Sequence, residues 1–335
     1  MKRLILVLVL LISTSISAQT VEVLPATPAA KAVRAIANVS ADVRNVYAPA
    51  GYRLLWTRNG RPTSQALTVI HLLETADAKG LNPADYDAGR WQARTSNLTS
   101  DASLAELDVT LTAAAMRYAS DLRVGRVNPQ SVDFDFDIEA KKFYLPALIW
   151  QLASGDPATV LASVEPQHDD YKRLLTALAT WRRIANESAG EASLPVVTKL
   201  SPGDDYAALP QLAVKLRRMG DLSAAAQISG TRYEGAIVDA VKHFQSRHGL
   251  DADGVVSRMT FAQLNVPLSR RVAQIELALE RWRWTPAPPA GPSIVVNIPE
   301  FRLTARDAQG ELTMRVVVGK SASSETPVFG GEIRH

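Results

Sequence analysis

Between residues 52 and 181 apolar positions recur every three or four residues, the spacing of helices with one buried face. Pro62 and Thr63 open such a run, with Leu67, Ile70, Leu73 and Ala76 as its stripe and Lys79-Gly80 as its end. Ser103-Leu104-Ala105-Glu106 reads as a capping box. It starts a long helix with Leu104, Leu107, Leu111, Ala114, Tyr118 and Leu122 on one face, and Gly125 closes it. Another helix begins near Asp169 and carries Tyr171, Leu174, Leu178 and Trp181. Asn186 to Leu194 is small and polar, a linker, and Pro202-Gly203 marks a new start.

The stretch from Leu209 to Leu264 predicts three short helices around one small core. Leu209, Leu212, Leu216 and Met219 form the first stripe, stopped by Gly220. Ile237, Val241, Phe244 and His248 form the second, and Gly249 stands where the chain leaves a helix in the left-handed conformation. Asp253-Gly254 is a tight turn, after which Ser257 caps a third helix through Thr260, Phe261 and Leu264. A further helix carries Val272, Ile275, Leu279 and Trp282, up to a Pro-rich break at 285–292. The period then becomes two. Ser293 to Ile298 is an apolar strand, Phe301, Leu303 and Ala305 alternate, 307–310 turn, and Leu312, Met314, Val316 and Val318 alternate again.

Composition sharpens this picture in three ways. A formal charge of +3 from 37 basic and 34 acidic side chains, with no basic patch, gives no field for nucleic acid. Lys2-Arg3, the apolar run Leu4 to Ile12 and a small residue at Ala18 fit a secretory leader cut before Gln19, and the run is too short to span a bilayer. An exported, periplasmic protein is expected, with inner-membrane association as the alternative should the leader stay uncut. The absence of cysteine excludes disulfides, thiolate metal sites and a thiol nucleophile from these 335 residues.

No other grouping of polar residues points to chemistry. His243 and His248 are five apart, the wrong spacing for two ligands on one helical face, and His71 and His168 are isolated. Asp251-Ala252-Asp253-Gly254 lacks the first and last ligands of a calcium loop, with Gly249 and Thr260 in their places. Asp133 to Asp137 alternates with Phe134 and Phe136, an extended segment rather than a metal site. Arg123 and Arg126 flank a helix end, where cations offset the dipole. Trp282 and Trp284 are expected to pack against the following β-domain. No metal, no cofactor and no substrate-binding residue is assigned.

Two resemblances add to this reading. The order helix, Phe244-Gln245, His248-Gly249-Leu250, Asp253-Gly254, Thr260 resembles the peptidoglycan-binding domain of bacterial wall enzymes, with Ser257 where a glycine is common. Earlier segments resemble the scaffold region of large periplasmic L,D-transpeptidases. These are Leu54-Leu55-Trp56 with Gly60-Arg61-Pro62, Gly80-Leu81-Asn82-Pro83-Ala84-Asp85-Tyr86, and the run from Tyr118 through Gly125-Arg126-Val127-Asn128-Pro129. Glu280-Arg281-Trp282-Arg283-Trp284, the strands around Ile294-Val295-Val296-Asn297-Ile298-Pro299 and Val316-Val317-Val318-Gly319, and Thr326-Pro327-Val328-Phe329 are similar to that family's as well.

The resemblance implies an α+β multidomain protein: leader 1–18, flexible linker 19–45, mainly helical scaffold 46–185 and three-helix peptidoglycan-binding domain 199–266. A linker helix 268–284 and the first strands of a mixed β catalytic domain, 293–335, would follow. It also implies 3-3 cross-linking of peptidoglycan stem peptides. In that reaction a cysteine attacks a donor tetrapeptide, D-alanine leaves, and a diaminopimelate amine takes the acyl group. The family's His-Gly and Ser-x-Gly-Cys motifs would lie beyond His335, so these residues are expected to be inactive alone. The rival expectation is a non-catalytic exported protein that binds peptidoglycan. It is disfavoured because a few strands with bare edges and a bare apolar face are marginal in water.

Overall fold

The computed structural model describes residues 27–38, 40–131, 136–137, 141, 143–286, 291–320 and 324–332. The expected leader, its cut before Gln19 and Asp133 to Asp135 lie outside them, as do residues 333–335. Among the described residues no helix is long and apolar enough to cross a membrane.

The chain enters through two helices where a flexible linker was expected: α1 (Pro28–Ala37) and α2 (Ala41–Tyr47). Alanine and proline suggested a linker, but Pro28 sits at the first helical position, where its missing N–H costs nothing. The Thr27 side chain caps the helix at the Ala30 N–H, 3.2 Å away. Ala30, Val33 and Ala37 then bury one face of α1 against the longest helix of the fold.

A hairpin of β1 (Thr57–Arg58) and β2 (Arg61–Pro62) follows, turned by Asn59 and Gly60, both at positive φ. Next come α3 (Ser64–Glu74), α4 (Trp91–Ser96) and α5 (Asp101–Val124). In α3 the buried stripe is Ala66, Val69, Ile70 and Leu73, while Leu67 is 53% exposed. The helix stops at Glu74, and a 3-10 turn at Ala76–Lys79 carries the chain to Gly80 in the left-handed region. The capping box of α5 is Ser100 with Ser103, three residues earlier than the pattern suggested, because Ser103 accepts the Ser100 N–H as Glu106 was expected to do.

Leu107, Leu111, Ala114, Tyr118 and Leu122 of α5 are buried as the spacing requires, and so are Ala105, Ala115 and Ala119 on its flanks. Small residues there let α1, α2 and α3 approach from several sides. At the middle of the helix the buried Asp108 carboxylate accepts from the Leu55 N–H at 2.7 Å, the Trp56 N–H at 2.8 Å and the Tyr47 hydroxyl at 2.9 Å. Thr112, one turn on, accepts from the Trp56 indole N–H at 2.8 Å. Leu54-Leu55-Trp56 is thus anchored by polar groups inside an apolar core.

Strand β3 (Phe136–Asp137) is extended as expected. α6 (Leu145–Ser154) and α7 (Pro157–Val164) complete this core, and α8 (Asp169–Glu187) leaves it. The three-helix unit follows as α9 (Leu209–Arg218), α10 (Ala236–Arg247) and α11 (Arg258–Leu264), with a separate buried cluster. The chain returns through α12 (Leu268–Trp284), which packs antiparallel to α8. Val272, Ile275, Leu279 and Trp282 meet Tyr171, Leu174, Leu175 and Leu178. The three-helix unit therefore sits at the tip of a two-helix stalk.

The last elements are β4 (Ser293–Asn297), β5 (Arg302–Asp307), β6 (Gly310–Arg315) and β7 (Val328–Phe329). β4, β5 and β6 form an antiparallel meander, and β7 pairs in parallel with β3. The third strand stops at Arg315 rather than running to Val318. Register places Ile294 opposite Ala305, Val296 opposite Leu303, and these two opposite Leu312 and Met314. One face is therefore apolar and the other carries Thr304, Arg306, Glu311 and Thr313. Ile294, Val296, Leu312 and Met314 remain exposed among the described residues.

Candidate functional site

In the three-helix unit, Ile237, Val241 and Phe244 leave water completely, and Phe261 and Leu264 close the core from α11. His248 lies on the Phe244 ring at 3.9 Å between centroids and engages the Phe244 carbonyl through Nδ1 at 2.7 Å. Burial lowers its pKa from the usual histidine value, and the ring extends the core beyond Phe244.

Gln245, beside Phe244, does something its position alone did not reveal. Its amide donates to Asp253 Oδ1 and to the Val255 carbonyl, both at 3.0 Å, and its carbonyl accepts from the Gly254 N–H at 2.9 Å. Tyr233 donates to the Gly254 carbonyl at 2.6 Å. Gly254 is left-handed, and a Cβ there would stand 2.9 Å from Val238. The Phe-Gln, Asp-Gly and Thr residues of the pattern therefore build the unit, with Phe244, Gln245 and Thr260 buried and Asp253 at the surface.

Two surface features stand out. Asp221 lies sequestered from solvent under His243 and Arg247, accepting from His243 Nδ1 at 2.6 Å and from Arg247 at 2.9 and 2.6 Å. The second is a cleft of about 300 Å³ where α9 meets the segment arriving from α8, lined by Glu191, Ala192, Leu194, Pro210, Gln211, Val214 and Lys215. Leu194 was expected to end a loose linker, but it is buried. Asn265 accepts from its N–H at 2.8 Å and donates to its carbonyl at 3.0 Å. Incoming and outgoing chains are thus tied together at the neck, and Arg218 reaches across to Ser188 and Glu191.

The stalk is clasped to the helical core by residues of the 118–129 and 280–284 runs. Glu280 Oε1 accepts from the Arg126 N–H at 2.6 Å, the Val127 N–H at 2.9 Å and the Trp284 indole N–H at 3.2 Å. Arg283 is wholly buried, donating to the Lys79 carbonyl and to Glu280, with Tyr171 below its guanidinium. Lys141 holds the Arg283 carbonyl at 2.5 Å, and burial pushes its ammonium down to about 8. Arg182 bridges Asp77 to Glu276. Trp282 lies against His168, ring centroids 4.7 Å apart. Among the described contacts, Trp282 packs on the α8 stripe and Trp284 lies at Gly125 of the scaffold.

Gly125 makes the clasp possible. With φ 84° and ψ 169° it occupies a region essentially limited to glycine. An added Cβ would lie 2.5 Å from Glu280 Oε1 and 2.7 Å from Trp284 Nε1. Gly125→Ala should destabilise the clasp by about 1–3 kcal/mol and release α12. Hydrogen exchange of amides 276–284 should rise in the variant while α5 stays protected. Unchanged protection there would show that the clasp does not hold α12.

Among the described residues no group of three or more His, Asp or Glu side chains could hold a metal. His71 and His168 join no such cluster. The Arg123 carbonyl accepts from Lys141 Nζ at 3.4 Å, and the Arg126 guanidinium pairs with Asp85 at 2.8 Å.

Residues 41–178 match a family model described as a scaffold domain, and residues 207–264 match one named "Putative peptidoglycan binding domain". Comparison with curated proteins gave no match. The chain therefore combines a scaffold domain with a peptidoglycan-binding domain, an arrangement consistent with L,D-transpeptidase architecture and with association with the cell wall.

Proposed function

We propose that this chain is the exported, wall-engaging portion of a peptidoglycan L,D-transpeptidase, acting in the periplasm after removal of its leader. The observation that carries the reading is the pairing of both domain matches in one chain, followed by a sheet with one apolar face. The Asn265–Leu194 clamp ties the three-helix domain to the stalk, which suits presentation of a polymer. The transfer itself requires a thiolate, a base and backbone N–H groups for the oxyanion. These 335 residues contain no cysteine, so they do not supply that thiolate. The same fact favours a second reading, a non-catalytic wall-binding protein.

Both readings place peptidoglycan on the three-helix domain. The purified chain should sediment with isolated sacculi, and a chain that stays in the supernatant would sink both. The codons after position 335 separate them: an open frame encoding a His-Gly segment and a Ser-x-Gly-Cys motif supports the transferase, and a stop codon supports the binding protein.

A further inference from the structure

The neck cleft is an open depression, and part of it comes from outside the matched binding domain. Its floor and one wall are α9 residues Pro210, Gln211, Val214 and Lys215, and its other wall is Glu191 and Ala192 with Leu194. About 300 Å³ is the lower end of the range for small-molecule pockets. The wall from the neck is held by the Asn265 clamp on both backbone polar groups of Leu194. That clamp forms the cleft without a ligand.

The lining discriminates between the two components of a wall polymer. Aromatic side chains are a common platform for the C–H faces of sugar rings, and no aromatic residue lines this cleft. Its apolar surface is small and aliphatic: Ala192, Leu194, Pro210 and Val214. Its polar groups are the Gln211 amide, the Lys215 ammonium and the Glu191 carboxylate, which Arg218 already pairs. Lys215 donates to the Leu264 carbonyl at 2.9 Å, which fixes its position and leaves further N–H donors for a ligand. Methyl-sized side chains beside carbonyls and a carboxylate complement such a surface, and that is the chemistry of a short alanine-containing peptide.

Resting on the wall-binding reading, we infer that the neck cleft binds the stem peptide of peptidoglycan, its alanine side chains against Val214 and Leu194 and a carboxylate or carbonyl on Lys215. The glycan is not its ligand. Because one wall is the neck itself, an occupied cleft also stiffens the junction between the three-helix domain and the stalk.

The test is calorimetric titration of the whole chain with a synthetic tetrapeptide stem and, separately, with the N-acetylated disaccharide unit. Val214 is 41% exposed, so Val214→Asp should leave the fold intact while placing a charge in the cleft. Lys215→Met removes the ammonium and keeps the stem of the side chain. The wild-type chain should bind the tetrapeptide and not the disaccharide, and each variant should weaken peptide binding at least tenfold, Val214→Asp with an unchanged melting profile and Lys215→Met with only the small downward shift that loss of the Leu264 hydrogen bond brings. Disaccharide binding without peptide binding, or peptide binding that neither variant weakens, overturns the proposal. Sacculus sedimentation keeps the two readings apart. If the wild type sediments but does not bind the peptide, the domain binds the wall elsewhere and the cleft assignment falls alone. If it neither sediments nor binds the peptide, both fall.

Discussion

Asp108→Ala is expected to cost the scaffold about 3–5 kcal/mol, the range for breaking one side of a buried charged network. Three donors converge on this carboxylate, and two are the backbone N–H groups of Leu55 and Trp56, which have no water to turn to. Asp108→Asn should lose less. Its oxygen can still accept from Leu55 and Tyr47, but its amide would point N–H against the Trp56 N–H. Burial pushes the Asp108 carboxyl up to about 6, against the pull of the three donated hydrogen bonds.

A folded-state pKa above the unfolded value means that the fold binds the proton more tightly. This group's contribution to stability is therefore fully present below about pH 4 and is lost as pH rises through about 6. The gap between wild type and Asp108→Asn should widen on acidification from pH 7 to pH 5. Thermal unfolding followed by tryptophan fluorescence reads this directly, because Trp56 belongs to the network and Trp91 to the same core. A loss under about 1 kcal/mol for Asp108→Ala, or a gap that narrows on acidification, would show that the network does not organise the scaffold.

Phe244→Ala is expected to unfold the three-helix domain while leaving the scaffold standing. Truncating a fully buried phenylalanine costs about 3–5 kcal/mol. A domain of this size has little stability to lose. Phe244 also supports His248, so its removal strips the ring that fills the end of the core. The α9, α10 and α11 amides should lose exchange protection, those of α5 should keep it, and sacculus sedimentation should disappear. The two halves respond separately because their buried clusters are distinct. A variant that retains protection in α10 and still sediments would remove Phe244 from the centre of that core.

The two expectations show different degrees of legibility. Phe244 follows from spacing alone: Ile237, Val241 and Phe244 share one face at 3.6 residues per turn, and each is fully buried. The importance of Asp108 does not follow, since an aspartate inside a helical run reads as a solvated position until its partners, more than fifty residues away, are known.

That contrast holds along the chain. The sequence by itself determined the helical runs, the turns at Gly220, Gly249 and Gly254, the Ser257 cap and the alternation that gives β4 to β6 two unlike faces. These depend on neighbours within a few residues, whose backbone geometry and side-chain period are local properties. Tertiary structure decided that Pro28–Ala37 stands as a helix, because ten residues are marginal alone and burial on α5 holds them. It decided that Trp282 and Trp284 face the scaffold, that Arg283 leaves water completely, and that Gln245 ties down the Asp253-Gly254 turn. It also joined Gly125-Arg126-Val127 to Glu280, two segments more than 150 residues apart. Periodicity reports which face of an element leaves water but not what that face meets, and a polar group can be buried only when distant parts of the chain supply its hydrogen bonds.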